Sequence, residues 1–394
     1  MKNIEVSNRV NQADYSLESW KINPDLLSPA ARGIWERENN VPVRVETDNS
    51  LRPKILDACG MTCVFCHNEG TPVAAEAKLN GSAAHNLGRV SIYAGSNGVN
   101  FLPGRMKPNQ QLYDALRVLN QSVDASEIHL TGGEPTLHPE LPDIIAMAKS
   151  LGLSVKMTSN GENPRAFEKC ADAGLDRVIF SVFGVNASEL SMVQHAKYQN
   201  PKLAQRKIDS LHHSIDAATA SGIKATANVV IPGSGHEDRV LGIINQFDGL
   251  SLRLLNSLDD GQASYAAIYE ILAGLGAEPI EAKVTAGSSN ARTNYLLPGG
   301  SEIAFKQIRP ARFNHICKDC EIDRQGKCEE SFYGLRLYID QDDQYLVGLC
   351  IQRMDLAMHL NEFLQSGLPE KIKAYRQAEK SSMEEFFYGA GMEG

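Results

Sequence analysis

The chain has 394 residues, of which 42% are hydrophobic and 22% are charged, a composition that excludes disorder and collagen-like repeats. Its 39 basic and 48 acidic residues give a net charge of −9, which argues against a broad contact with a nucleic-acid polymer or an anionic membrane. No window approaches the run of about 18 apolar residues that a membrane span needs, and the N-terminus lacks the apolar core of a signal peptide. We therefore expect a cytoplasmic protein that meets any anionic ligand in a local basic pocket.

Strand-like and helix-like segments alternate along most of the chain. The first fifty residues are mixed and polar, with short helices predicted near Pro29–Arg37, and we expect them to pack on the main domain as an extension. Six β-rich segments follow, at 52–60, 127–133, 153–161, 176–184, 223–233 and 251–258. Amphipathic stretches separate these segments, and such alternation predicts an α/β fold with a parallel sheet. Six units are too few for a closed eight-stranded barrel, so we predict a partial (βα)6 TIM-like barrel.

The pattern changes after residue 276 to glycine-rich turns and short strands, followed by an amphipathic helix predicted over Asp355–Lys380. The sequence therefore predicts an N-terminal extension at 1–51 and a barrel at 52–276. It also predicts a smaller C-terminal α+β unit at 277–394, which contains a group of cysteines.

Seven of the eight cysteines fall in two groups. The first group is Cys59, Cys63 and Cys66, and the second is Cys317, Cys320, Cys328 and Cys350. Because cytosolic thiols stay reduced, clustered cysteines predict metal binding or redox chemistry more than disulfides. The remaining cysteine, Cys170, lies in a helical pattern and is expected to be a buried apolar side chain.

The first group has the spacing Cys-x3-Cys-x2-Cys. A 4Fe-4S cube that is bound by three cysteines keeps one iron without a protein ligand, and such an iron is a reaction site. A structural zinc site completed by His67 is the alternative interpretation.

Two motifs together resemble those of the radical S-adenosylmethionine (SAM) superfamily. They are CGMTCVFC at 59–66, with Phe65 before the third cysteine, and TGGEP at 131–135. The resemblance implies that Cys59, Cys63 and Cys66 hold the catalytic 4Fe-4S cluster and that its open iron binds SAM. One electron, from a donor such as flavodoxin or ferredoxin, then cleaves SAM to methionine and a 5′-deoxyadenosyl radical that abstracts hydrogen from carbon.

The resemblance also implies SAM contacts at the ends of the predicted strands. The candidate cofactor-binding residues are Phe65, Gly132, Gly133, Glu134, Ser159, Asn160, Ser181 and Asn228. The two glycines allow the backbone to approach a ligand closely, and Glu134 can accept a hydrogen bond from the SAM ammonium. Turn formation, barrel-rim structure and ordinary core packing are the alternative roles for these residues.

The segment around the second cysteine group resembles the C-terminal part of the GTP 3′,8-cyclases of molybdenum cofactor biosynthesis. Cys317, Cys320 and Cys350 match the three cysteines that hold an auxiliary 4Fe-4S cluster there, whereas Cys328 lies in an insertion, EIDRQGKCEESFYG. The extra cysteine could be a fourth ligand, as in the SPASM and twitch clusters of other relatives, or a hydrogen donor to a substrate radical. Four thiolates also suit zinc, and the spacing alone does not distinguish the two ion types.

Three arginines are candidates for substrate binding. Arg309, Arg312 and Arg336 flank the second cysteine group, and guanidinium groups bind phosphates and carboxylates with two parallel hydrogen bonds. Solvation at the surface is the alternative role.

The sequence therefore predicts a radical SAM enzyme of lyase or isomerase type. We expect it to rearrange, cyclise or epimerise a small polar substrate, such as a nucleotide, a nucleoside or a sugar. The alternatives are a GTP 3′,8-cyclase, a peptide-modifying maturase with a SPASM or twitch domain, and, from another class, a non-catalytic zinc-binding scaffold.

Overall fold

The computed structural model describes residues 22–61, 104–194, 200–247, 249–257, 260–326, 328, 331–340, 342–351, 353 and 356–389. Its strands are β1 Val43–Thr47, β2 Ser50–Pro53, β3 Glu127–Leu130, β4 Ser154–Ser159, β5 Arg177–Ser181, β6 Lys224–Ile231, β7 Ser251–Asn256, β8 Glu278–Ala286, β9 Asn290–Leu296, β10 Glu302–Ile308, β11 Leu335–Ile339, β12 Tyr345–Gly348 and β13 Met358–His359. Its α-helices are α1 Pro29–Glu38, α2 Gln110–Val123, α3 Leu141–Ser150, α4 Ala166–Asp172, α5 Ala187–Met192, α6 Pro201–Ala220, α7 Glu237–Gln246, α8 Gly261–Gly274, α9 Asn314–Cys317, α10 Glu321–Arg324, α11 Leu360–Gln365 and α12 Leu368–Tyr388.

The six strands β2 to β7 are neighbours in the sheet in chain order, and each adjacent pair is parallel. Each observed strand overlaps one of the six predicted segments, and helices connect successive strands. Asparagine side chains help to start these helices: Asn109 Oδ1 accepts from the amide of Leu112, and Asn186 and Asn200 cap α5 and α6 in the same way. The structure confirms the predicted α/β fold with a partial (βα)6 barrel.

Strands from the two ends of the chain extend this sheet on both sides. At one edge β10 joins β7 in parallel and continues through the antiparallel strands β9 and β8 to β1. At the other edge β11 joins β2 in parallel and continues through β12 and β13. The segment after residue 276 therefore shares one sheet with the barrel, and the predicted domain boundaries stay a prediction.

The C-terminal helix differs from its predicted bounds. In place of one helix over Asp355–Lys380, the structure has α11 and α12, separated by Gly367, and α12 continues to Tyr388. Gly367 has a φ of 71°, a left-handed conformation that ends a helix, and Pro369 then lies in the first turn of the next one.

Burial alternates along the barrel strands, as expected for side chains that point to opposite faces. In β4, Val155 and Met157 are buried, whereas Lys156 and Thr158 are half-buried and share the other face. Cys170 on α4 is fully buried among apolar side chains, as predicted. Of the helices in the described ranges, none is long and apolar enough to cross a membrane, and the cytoplasmic location stays a prediction.

Candidate active site

The TGGEP segment at the end of β3 packs against the chain that leads into Cys59. The amide of Gly133 donates to the carbonyl of Leu56 at 2.9 Å, and the amide of Glu134 donates to the carbonyl of Ala58 at 2.8 Å. A Cβ on Gly133 would lie 2.3 Å from the Ala58 oxygen, and one on Gly132 would lie 2.4 Å from the Leu56 oxygen. The close approach that these glycines allow is therefore to the chain itself, and it positions Cys59.

The carboxylate of Glu134 organises the end of the next strand. Its Oε1 accepts from the Ser159 hydroxyl at 2.7 Å and from the Thr136 amide at 3.0 Å, and its Oε2 accepts from the Asn160 amide at 2.6 Å. Burial raises the pKa of Glu134, although these hydrogen bonds oppose the shift. Both carboxylate oxygens thus accept hydrogen bonds from other groups of the same chain, and these bonds fix the positions of Ser159 and Asn160.

Asn160 connects this network to Cys59. Its Nδ2 donates to Cys59 Sγ at 3.5 Å, and the amide of Met61 donates to the same sulfur at 3.4 Å. Donors around a sulfur favour the thiolate, which is the form that binds iron. The other predicted ligands of this cluster, Cys63 and Cys66, lie outside the described residues, as does Phe65.

Two amide oxygens at the strand ends have no partner among the described residues. They are Oδ1 of Asn160 after β4 and Oδ1 of Asn228 in β6, and both are buried. Asn228 lies beside Ser181 in the register of β5 and β6, so these predicted SAM contacts are neighbours. Buried acceptors without a partner suit a ligand that carries N–H and O–H groups, such as the ammonium and ribose hydroxyls of SAM.

The loop that begins at Cys59 is also held from the side of α6. Glu162 accepts from the amide of Gly60 at 2.9 Å, and Lys207 of α6 pairs with the same carboxylate. A Cβ on Gly60 would overlap the Glu162 carboxylate, so a larger residue at this position would displace that side chain from the loop. Sequence analysis missed Glu162 because its partners lie distant in the chain.

A profile of the Radical SAM superfamily matches residues 54–241, which include these strand ends. This segment, slightly less than half of the chain, is a radical SAM domain.

Curated relatives of this chain are named GTP 3′,8-cyclase. A probable enzyme of this name from Sulfolobus acidocaldarius is 33% identical over 138 residues, 34% of this chain and 34% of the relative. The enzyme from Aquifex aeolicus is 25% identical over 221 residues, 54% of this chain and 57% of the relative. A probable enzyme of this name from Methanocella arvoryzae is 24% identical over 277 residues, 69% of this chain and 76% of the relative. The chain therefore spans about a third of the first relative and more of the other two.

Two solved structures are similar to this chain at low identity. Streptococcus suis SuiB bound to SAM is 12% identical, with a TM-score of 0.45 over 87% of this chain and 71% of that one. Escherichia coli HemN is 10% identical, with a TM-score of 0.35 over 74% of this chain and 76% of that one.

Below the strand ends, a chain of contacts crosses three barrel strands. Arg52 of β2 lies 3.4 Å from His129 Nδ1, and His129 Nε2 lies 2.8 Å from the Thr158 hydroxyl. Because arginine can only donate, His129 accepts through Nδ1 and donates through Nε2. Burial, and then the charges of Arg52 and Lys156, hold the pKa of His129 well below its usual value, so the imidazole is neutral.

Three cations surround Tyr333 in the barrel interior, and we name Arg52, Arg253 and Lys306 the barrel cation cluster. Lys306 donates a hydrogen bond to the Tyr333 hydroxyl, and the Arg52 guanidinium lies 4.1 Å above the ring centre. Burial lowers the pKa of Arg253 to about 10, and the charges of Arg292 and Arg177 also lower it. In the part of the chain that the structure describes, no ion pair joins a carboxylate to these three cations.

The predicted site residues did not include the barrel cation cluster, although the sequence contains one signal of it. Arginine and lysine are rare inside strands of a parallel sheet, which are usually buried on both faces. Arg52, Arg253 and Lys306 interrupt three such strands.

The second cysteine group lines one small cavity of about 20 Å³. Cys317, Cys320, Cys328 and Cys350 contribute to its walls with Ile316, Ile322 and Phe332. Among the described side chains, however, no group of three or more His, Cys, Asp or Glu is arranged to hold a metal ion. A cavity of this size holds about one water-sized group. By their chemistry, the four thiols could provide all four protein ligands of a 4Fe-4S cluster or of a zinc ion.

The three arginines predicted to bind substrate have different surroundings. Arg309 is 1% exposed and forms a two-bond ion pair with Glu379 of α12, at 3.0 and 2.8 Å. Arg312 lies beside the cysteine cavity, where Nε pairs with Asp323 at 2.7 Å. Arg336 is buried on β11, with its guanidinium 6.0 Å from the Tyr333 ring centre. Arg309 is thus occupied by Glu379, and we leave it out of the proposed substrate site.

Proposed function

We propose that this chain is a radical SAM enzyme that acts on a small phosphorylated substrate, a nucleotide or a sugar phosphate, bound in the barrel interior. Cys59, Cys63 and Cys66 would hold the 4Fe-4S cluster, and Asn160, Ser181 and Asn228 would contact SAM. Cluster and SAM together supply a 5′-deoxyadenosyl radical that removes a hydrogen atom from the substrate and starts its rearrangement, cyclisation or epimerisation.

The observation that carries this proposal is the barrel cation cluster next to the strand ends. Half-buried cations without carboxylate partners favour the binding of an anion that supplies the opposite charge. Guanidinium and ammonium groups bind phosphate groups strongly. In the register of β5, β6 and β7, Arg253 lies beside Asn228, and Asn228 lies beside Ser181, so a substrate held by the cluster lies close to the predicted SAM contacts.

The chain's own residues perform positioning steps in this proposal. Glu134 fixes Asn160 and Ser159, and Glu162 fixes the amide of Gly60 in the loop that starts at Cys59. Neutral His129 keeps Arg52 and Thr158 in place without adding a positive charge. The contact between Ser159 and Glu134 is buried and the others are part-buried, which limits the access of bulk water to the predicted reaction site.

The test is SAM cleavage by the anaerobically reconstituted protein with dithionite or with flavodoxin as the one-electron donor. We expect 5′-deoxyadenosine to form, and deuterium to move into it from a labelled phosphorylated substrate. A Cys59→Ala variant should form none. Reconstituted protein that holds the cluster but never cleaves SAM would refute the proposal.

GTP is the first substrate to test because the curated relatives are GTP 3′,8-cyclases by name. Formation of the cyclic product from GTP would identify the chain as such a cyclase. SAM cleavage with deuterium transfer from another phosphorylated compound, and none from GTP, would identify a different substrate within the same class.

We also propose an auxiliary 4Fe-4S cluster at Cys317, Cys320, Cys328 and Cys350, since all four line one cavity. Iron and sulfide analysis should give two clusters for the wild type and one for a Cys317→Ala/Cys320→Ala variant. A Cys328→Ala variant should lose the second cluster if Cys328 is a ligand and keep it if Cys328 is free. Zinc without sulfide at this site would refute the auxiliary cluster, and zinc at both sites would favour the scaffold alternative.

A further inference from the structure

Tyr333 is the side chain at the centre of the barrel cation cluster. It lies in the same insertion as Cys328, just before β11. Lys306 Nζ approaches it from β10, with a hydrogen bond to the hydroxyl and a distance of 4.7 Å to the ring centre. Arg52 of β2 lies over the ring, and Arg336 of β11 lies farther out, at 6.0 Å.

The charges that face Tyr333 from the surrounding strands are nearly all positive. Besides the barrel cation cluster, β11 contributes Arg336, and His129 of β3, which contacts Arg52, is neutral. The carboxylate of Glu127 on β3 pairs with Lys156 of β4 instead of with the cluster. Within the described ranges, the phenol oxygen of Tyr333 is thus the group best placed to supply negative charge to these cations.

We propose that the Tyr333 phenolate is the resident counter-ion of the barrel cation cluster and that a phosphate-ester group of the substrate displaces it, with uptake of one proton. The inference rests on the proposed function, because it assigns a role to the same substrate site. The phosphate takes the hydrogen bond from Lys306 and the charges of Arg52 and Arg253. A proton from water goes to the phenolate oxygen, and no carbon bond or electron is involved.

The ionisation of Tyr333 agrees with this geometry. Burial raises its pKa, but the charges of Arg52, Lys306 and Arg253, together with the hydrogen bond from Lys306, outweigh burial and lower the pKa to about 7. A bound phosphate shares these cations and so raises the pKa again. Binding with uptake of one proton therefore weakens as the pH rises above about 7, by up to about tenfold per pH unit.

The test uses the reconstituted full-length protein, with inorganic pyrophosphate and GTP as probes. At a pH about one unit above the Tyr333 midpoint, most of the phenol is ionised, and tyrosinate is visible in the near-ultraviolet spectrum. Subtracting the spectrum of a Tyr333→Phe variant at the same pH cancels cluster absorbance. We expect either probe to bleach the tyrosinate signal of the wild type and of a Tyr113→Phe control, which alters a tyrosine on α2.

Binding affinity gives a second measurement. The affinity of the wild type for pyrophosphate should fall more steeply with rising pH than that of Tyr333→Phe, which experiences the same ionisation of the probe. Lys306→Met removes the hydrogen bond to Tyr333 and should move the pH midpoint of tyrosinate formation upward. This variant keeps Tyr333, so its result does not depend on how Tyr333→Phe folds. Stronger binding of GTP than of pyrophosphate, with the same bleaching, would show that the displacing phosphate is carried by a nucleotide.

Three results would overturn the inference: probe binding that leaves the tyrosinate signal unchanged, equal pH slopes in the wild type and Tyr333→Phe, or no binding of either probe. SAM cleavage is measured separately on the same samples. Its absence, with the spectral change intact, would refute the radical function and leave the anion exchange standing.

Discussion

The side-chain amide of Asn160 lies 3.5 Å from the sulfur of Cys59, although 101 residues separate them in the chain. Asn160 is held in turn by Glu134, whose Oε2 accepts from its backbone amide at 2.6 Å. The glutamate of the TGGEP motif therefore acts on the first cysteine of the cluster loop through one intermediate residue. Hydrogen bonds to the sulfur ligands of a cluster are one of the factors that set its reduction potential.

Removing the amide of Asn160 should make the first cluster harder to reduce. An N–H donor stabilises the more negative, reduced state, and one such bond is worth about 1 kcal/mol, or ~40 mV for one electron. We expect Asn160→Ala to lower the midpoint potential by about this amount in an EPR-monitored redox titration. Asn163→Ala, which removes a bond to the Thr136 carbonyl, is the matched control and should leave the potential unchanged. Equal shifts in both variants would contradict the assignment.

Glu162 should determine how firmly the first cluster is held. Glu162→Ala removes the acceptor for the Gly60 amide and the partner of Lys207, which should weaken retention of the cluster by about 1–3 kcal/mol. Iron loss to a chelator over time measures this effect. Glu162→Gln keeps an acceptor for Gly60 and should give an intermediate rate. An Ala variant that retains iron as the wild type does would show that the loop is held by other contacts.

His129 should make the protein less stable in acid. Burial and neighbouring cations lower its pKa in the folded state, so below about pH 6.5 the unfolded chain binds a proton that the folded chain does not. Stability from this residue is therefore complete above that pH and falls as the pH decreases, by up to about 1.4 kcal/mol per unit. Denaturant unfolding at several pH values should show a shallower acid loss for His129→Gln. His213→Gln, an exposed change on α6, should keep the wild-type slope.

The ion pair between Arg309 and Glu379 should contribute to stability and not to substrate binding. Glu379→Ala leaves a buried guanidinium without its partner, which costs about 3–5 kcal/mol. Glu384→Ala on the same helix breaks a half-exposed contact to Lys380 at 3.7 Å and should cost under about 1 kcal/mol. Chemical denaturation of the two variants measures the difference. Similar losses of unfolding free energy in the two variants would contradict a stabilising role for the buried pair of Arg309 and Glu379.

In the structure, the glycines of TGGEP have a different close neighbour from the one that the sequence predicts. The sequence predicts close approach of a ligand at Gly132 and Gly133, whereas the structure shows close approach of the carbonyls of Leu56 and Ala58. Both require the absence of a Cβ, so the residue type alone does not say which neighbour it serves.

Two short motifs carry the resemblance to the radical SAM superfamily, and the strand and helix periods were enough to predict the six βα units, because both kinds of signal are short-range patterns. The partners of individual charges were decided only by the tertiary structure. Arg309 meets Glu379 across 70 residues, and the barrel cation cluster brings Arg52, Arg253 and Lys306 together from three strands around Tyr333. Long-range contacts of this kind depend on which strands become neighbours and which faces they share. A strand's own sequence does not record that pairing.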